Sequence, residues 1–139
     1  MSTSSLAHAP AWGMLPLRIV VGLVFLMHGG QKLLVFGLEG TTSFMAGVGI
    51  PLPAVAAILV TVVELFGGLA ILLGVATQWA GLLLAADMVV AILAVRLSEG
   101  FFAPQGYEFE LTLLGAALTL AAVGPGGMAL GQRGGATPS

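Results

Sequence analysis

Three apolar stretches of this chain carry ionisable side chains in their interiors. Arg18, His28 and Lys32 fall within residues 14–36, Glu64 lies midway in 54–76, and Asp87 lies midway in 79–97 with Arg96 near its end. Arginine, lysine and histidine can donate hydrogen bonds to a carbonyl or an anion. Glutamate, aspartate and histidine can deliver or remove a proton. An ionised group at the centre of a bilayer costs at least about 2.5–3.5 kcal/mol on insertion scales. Segments that carry such groups are expected to turn them toward one another. Tyr107, at the start of a further apolar run, adds a phenol to the candidate set.

The elements that must position these groups are read from hydropathy. The chain has 139 residues, of which 58% are hydrophobic and 7% charged, and its mean hydropathy is +1.10. A soluble domain carries roughly 25% charged residues, so this chain cannot build a polar shell and must be solvated by lipid. About 20 apolar residues span a bilayer. Four runs are expected to do so, at 14–36, 54–76, 79–97 and 107–124. The fold class is an all-α integral membrane protein, a four-transmembrane-helix up-down bundle. Thr41–Val48 is expected to form a short interfacial segment between helices one and two. Residues 1–13 and 128–139 are read as a disordered N-terminal tail and a flexible C-terminal tail flanking a membrane domain over 14–127. The first 13 residues contain no Lys or Arg, and a signal peptide wants a basic start, so the first span is read as retained.

With four spans both termini lie on one side. Glu39, Glu99, Glu108 and Glu110 crowd the other side, which favours cytoplasmic termini in a bacterial inner membrane.

Depth along antiparallel helices follows from a rise of about 1.5 Å per residue. Glu64 and Asp87 come out level near the midplane, and Arg18 lies roughly 9 Å from Asp87 along the normal. Arg18 is therefore expected to contact Glu64 or Asp87, directly or through water. Lys32 follows His28 by four residues, so the two share a helix face. Lys32 points to a second layer near the far interface, with Arg96, Glu99, Tyr107, Glu108 and Glu110. Asp87 and Arg96, nine residues apart, fall half a turn out of phase on a regular α-helix and should face different neighbours.

Several chemistries are excluded or disfavoured. There are no cysteines, which removes thiolate haem ligation and cysteine-held iron–sulfur clusters. Only His28 is intramembrane, His8 lying in the N-terminal tail, so haem held by two histidines is not expected, nor is another metal site. No basic stripe suggests nucleic acid.

The order and spacing of short motifs resemble the DoxX family of small bacterial membrane proteins. The motifs are Arg18-x-x-x-Gly22, His28-Gly29-Gly30-Gln31-Lys32-Leu33, Gly49-Ile50-Pro51, Glu64-Leu65-Phe66-Gly67-Gly68, Gly100-Phe101-Phe102 and Gly106-Tyr107-Glu108. The chain departs from the family pattern at Arg96 and at Ser98-Glu99-Gly100. The resemblance implies a four-helix membrane protein. Through the branch that supplies a subunit of a thiosulfate:quinone oxidoreductase, it also implies membership of a membrane oxidoreductase assembly.

Three readings follow. In the first, the protein is an oxidoreductase subunit that binds a quinone near Arg18, His28, Lys32, Glu64 and Tyr107. Glu64, Asp87 or His28 would transfer protons, and a protein partner would supply the electrons. In the second, it is a non-enzymatic interaction or assembly protein whose buried charges fix helix register and whose interface layer docks a partner, a homo-oligomer being the alternative to a partner protein. In the third, it is a small solute or proton carrier.

Overall fold

A computed structural model describes residues 10–132. His8, Arg133 and the outer parts of both expected tails lie outside the described residues. Among the described residues there is no strand. Helix α1, Leu15–Gln31, opens with proline in its first turn, where the missing N–H costs nothing. It continues as a five-residue π-helical segment, Lys32–Phe36. Gly37, at φ +70°, then breaks the helical path, and α2 runs over Gly37–Gly47. The interfacial segment expected at Thr41–Val48 is thus a longer helix that begins four residues earlier. It packs on α3, Pro53–Leu73. Helix α4, Thr77–Ala91, is extended by a second π-helical segment, Ile92–Arg96, and a short 3₁₀ turn, Leu97–Glu99. Helix α5 covers Glu108–Val123.

Three of these helical runs are long and apolar enough to cross a membrane: Leu15–Gly47, Pro53–Leu73 and Thr77–Glu99. The 16 residues of α5 rise only about 24 Å, short of a hydrocarbon core of about 30 Å. The outward surface of the long helices is mainly apolar. Leu34 is 82% exposed, and Val20, Leu59, Phe66 and Leu93 also face out. This is the inverse of a soluble helix bundle, and it matches a lipid solvent.

Small residues set the helix pairing. Lipid gives apolar side chains little drive to associate with one another, so close backbone approach matters more. A methyl group added at Gly68 would lie 2.6 Å from the Leu26 nitrogen and 2.8 Å from the Gly22 oxygen. On α4, one added at Gly81 would meet the α5 backbone at Ala117 and Ala121, both at 2.8 Å. Gly67 sits against Leu84 and pins α3 to α4. Phe25, Ile71, Leu84, Met88 and Leu120 fill the shared core.

These contacts separate two glycines that look alike in sequence. Gly68→Ala should force α1 from α3 and cost about 1–3 kcal/mol, the usual range for overpacking. Gly30→Ala, with nothing within 4 Å of the added carbon, should leave stability unchanged or slightly raised. Thermal unfolding in detergent distinguishes them, and equal losses would disprove the close approach.

The α3–α4 turn needs left-handed backbone at Gly74, φ +70°. Val75 N–H donates to Ala70 O at 3.0 Å and Gly74 N–H to Ile71 O at 3.2 Å. These are the two bonds that close a helix C-terminus through glycine.

Candidate functional site

The antiparallel pairing of α1 and α3 places the end of α1 beside the middle of α3. There Lys32 Nζ donates to Glu64 Oε2 at 2.7 Å. The Glu64 side chain is 5% exposed and that of Lys32 20%, so this pair is largely removed from solvent. The Gly67–Leu84 contact sets α4 level with α3, and the Asp87 carboxyl borders the same space as Glu64. Asp87 Oδ2 is buried without a hydrogen-bond partner. The level placement expected for Glu64 and Asp87 is therefore what the helices adopt.

His28 lies one turn before Lys32. Its Nδ1 is 2.8 Å from the Val24 carbonyl oxygen. A carbonyl only accepts, so Nδ1 carries a proton. The ring packs against Phe109 of α5, with centroids 5.8 Å apart.

A second ion pair faces the same space. Arg96 Nε donates to Glu110 Oε1 at 3.1 Å, and one of its terminal nitrogens donates to Gln105 O at 3.3 Å. Glu110 Oε2 is buried and unpartnered. Asp87 and Arg96 face different neighbours, as expected, Asp87 lying beside Glu64 of α3 and Arg96 bonding to Glu110 of α5, although both border one cavity. Residues 92–96 are wound as a π-helix, whose i→i+5 bonding turns fewer degrees per residue than an α-helix. Lys32 begins the matching segment on α1. The Lys32 carbonyl and that of Gly37 accept bonds from the buried Thr41 hydroxyl at 3.3 Å and 2.9 Å, which ties α2 to the widened turn.

Together these groups border a cavity of about 950 Å³ between α1, α2, α3, α4 and the first turn of α5. Its walls are mainly apolar, with Phe25, Phe44, Met45, Val63 and Leu113 among them. Among the described residues no three His, Cys, Asp or Glu side chains are grouped to hold a metal ion.

Two expected members of the site are elsewhere. Arg18 does not meet Glu64 or Asp87. It is 1% exposed and bonds only to carbonyls. Its Nε donates to Ile71 O at 3.1 Å and one terminal nitrogen to Leu72 O at 2.9 Å. The other terminal nitrogen points at the Pro125, Gly127 and Met128 carbonyls, at 3.3–3.4 Å. The α1–α3 register puts residue 18 opposite residues 71–72, at the negative end of the α3 dipole, and a depth estimate carries no such register. Tyr107 does not border the cavity either. It stacks edge-on against Phe101, with ring centroids 5.4 Å apart. Glu110 belongs by sequence to the second layer near the far interface, and its nearness to the other charges has one signal there: an acid three residues beyond the tyrosine, with apolar neighbours on both sides.

Comparison with known proteins gives a consistent picture. The model of the DoxX family matches residues 13–97. "Putative oxidoreductase CatD" of Bacillus subtilis is 36% identical over 118 residues, 85% of this chain and 84% of that protein. "Inner membrane protein YphA" of Escherichia coli is 32% identical over 122 residues, 84% of this chain and 86% of that one. "Uncharacterized membrane protein Rv3486" of Mycobacterium tuberculosis is 34% identical over 128 residues, 84% of this chain and 78% of that one. No solved structure gives a significant match. Family model, relatives and apolar helices together place this chain in the DoxX family of membrane proteins.

Proposed function

We propose that the chain is a subunit of a bacterial oxidoreductase assembly that binds a quinone, or an apolar ligand of that class, in the cavity bordered by His28, Lys32, Glu64 and Asp87. One observation carries this reading: a volume of about 950 Å³ with apolar walls and a floor of charged groups, two of whose oxygens are unpartnered. Small-molecule sites are commonly about 300–1,000 Å³, mostly apolar, with a few convergent polar groups. A ring with a hydrocarbon tail suits such walls. Leu59 of α3 and Leu83 and Val90 of α4 border the cavity and are also half exposed on the outer surface. The cavity therefore meets lipid between α3 and α4, and a ligand dissolved in the bilayer would enter sideways.

In this reading α5 is the fourth span, which puts both termini on one side of the inner membrane, and the acids crowding the other side favour the cytoplasmic face for them. The chain has no cysteine, and its side chains offer no redox couple of their own. A partner subunit would exchange the electrons, while Glu64, Asp87 and His28 handle protons beside the ligand. The relative named as an oxidoreductase supports this assignment.

Titration of the detergent-purified protein with a short-chain ubiquinone should raise its melting temperature saturably. Ala86→Trp places bulk where the cavity opens between α3 and α4, and should weaken the half-saturation concentration at least fivefold. A folded sample without a saturable shift would favour the second reading, an assembly protein whose charges fix register. The bonding of Arg18 to carbonyls alone is the observation on that side.

A further inference from the structure

The cavity has two polar ends, held by different helix pairs. At one, Lys32 Nζ, next to the end of α1, donates to Glu64 of α3 at 2.7 Å. At the other, Arg96 Nε, on the π-helical extension of α4, donates to Glu110 of α5 at 3.1 Å. All four residues border the cavity. Each end has donors to spare. An ammonium carries three N–H groups and a guanidinium five. Among the described residues Lys32 Nζ serves one acceptor, and Arg96 uses only Nε and one terminal nitrogen. The other polar groups on the wall do not form a third end. His28 Nδ1 is taken up by the Val24 carbonyl and the Thr41 hydroxyl by the Lys32 and Gly37 carbonyls, while Gln31 adjoins Lys32.

The ends are also separated along the bundle. Asp87 is level with Glu64, and Arg96 follows Asp87 by nine residues, roughly 13 Å at the α-helical rise. The charges do not favour an anion, because Lys32 and Arg96 stand among three carboxyl groups, those of Glu64, Asp87 and Glu110. The spare N–H groups instead fit an uncharged acceptor at each end. A ring with two carbonyl oxygens pointing opposite ways, and a hydrogen bond at each, needs its donors on the order of 11 Å apart. The difference is within the reach of two flexible side chains. A ring whose carbonyls are adjacent reaches one end and leaves the other unserved.

We infer that the Arg96–Glu110 pair is the second half of the ligand site, and that the cavity takes a ring with opposed carbonyls, one accepting from Lys32 and the other from Arg96. The inference rests on the reading of this cavity as a site for a ligand of the quinone class. It adds two residues to that site and fixes the arrangement of the ligand's oxygens. Glu64 and Glu110 each hold one cation in place and so position the donors. A donor withdrawn from water and left without an acceptor is penalised. A site built to hydrogen-bond two groups therefore discriminates against a ligand that serves only one.

The test uses the full chain in detergent, with α-lapachone and β-lapachone as probes. These isomers combine a naphthoquinone with the same dimethylpyran ring, and their carbonyls are opposed in the first and adjacent in the second. The readout is the concentration giving half the maximal rise in melting temperature. The expected result is a value at least tenfold lower for α-lapachone. Arg96→Leu/Glu110→Leu removes the second end without stranding a charge. It should weaken α-lapachone at least tenfold and leave β-lapachone within twofold, because Lys32 still serves one end. A merely structural pair would lower stability without changing the ratio of the two values. If the double variant does not fold, Arg96→Gln, with its shorter side chain, should move the ratio the same way, and the wild-type ratio tests the opposed arrangement without either. Binding of a short-chain ubiquinone with no preference for α-lapachone overturns this inference and leaves the site standing. A preference unchanged in the folded variants overturns the assignment of Arg96 and Glu110. Binding of none of the three probes overturns both readings.

Discussion

Arg18→Gln should lower stability by about 2–4 kcal/mol, because it strands buried carbonyls rather than a partner charge. Arg18 is almost completely buried, and it joins three parts of the chain: α1, the last turn of α3, and residues 125–128. The shorter glutamine amide cannot reach all of these carbonyls, and each buried acceptor left without a donor costs about 1–3 kcal/mol. Arg18→Lys should recover only part of the loss, because an ammonium lacks the planar fork that serves several oxygens at once. Increased proteolysis within residues 124–131 should accompany the loss, because the guanidinium holds that segment to α3. The measurement is thermal or denaturant unfolding in detergent, with Arg18→Gln/Glu64→Gln as the informative double variant. Residue 18 sits opposite residues 71–72, roughly 10 Å along α3 from Glu64. The two losses should add to within about 0.5 kcal/mol. Rescue of one by the other would mean that the two charges pair, and would overturn the register.

Lys32→Met should cost about 2–4 kcal/mol. Breaking a buried pair from one side leaves the other charge uncompensated, and here both Glu64 and Asp87 lose the cation beside them. The figure is below the range for a fully buried pair because the Lys32 side chain keeps 20% of its exposure. Methionine retains most of the lysine stem volume, so the loss reports charge rather than packing. Adding Glu64→Gln should recover most of it, since the amide carries no charge to strand. A double-mutant cycle over these two positions isolates the coupling. A coupling near zero would mean that the 2.7 Å contact contributes nothing, and would remove the floor of the proposed site.

Two kinds of information separate here. Composition alone identified the solvent: 7% charged residues cannot surround a soluble core. Hydropathy located the apolar runs, and the same arithmetic placed Glu64 and Asp87 at one depth, because depth depends only on rise per residue. The motifs from Arg18 to Glu108 pointed to the family. These properties are local or additive along the chain, so they are legible without a fold.

The partner of each charge was not. Arg18 and Lys32 both lie on the first apolar run, and either could neutralise Glu64 by charge alone. The choice falls to the axial register of α1 against α3, which the close approach of Gly22, Gly29 and Gly68 sets. That register sends Lys32 to the acids and Arg18 to the carbonyls at the end of α3. Helical periodicity likewise gave Arg96 and Asp87 different neighbours, but not the π-helical turn over residues 92–96, beside which both border one cavity. A single i→i+5 turn has no signature in hydropathy, because it is maintained by contacts made elsewhere. The Thr41 hydroxyl on the Lys32 carbonyl is one of these at the corresponding turn of α1. The proton position on His28 follows from the Val24 carbonyl beside Nδ1, a rotamer choice made by packing against Phe109. Sequence determined which groups must be kept from lipid, and only the tertiary register decided which of them bond to one another and which acceptors remain free.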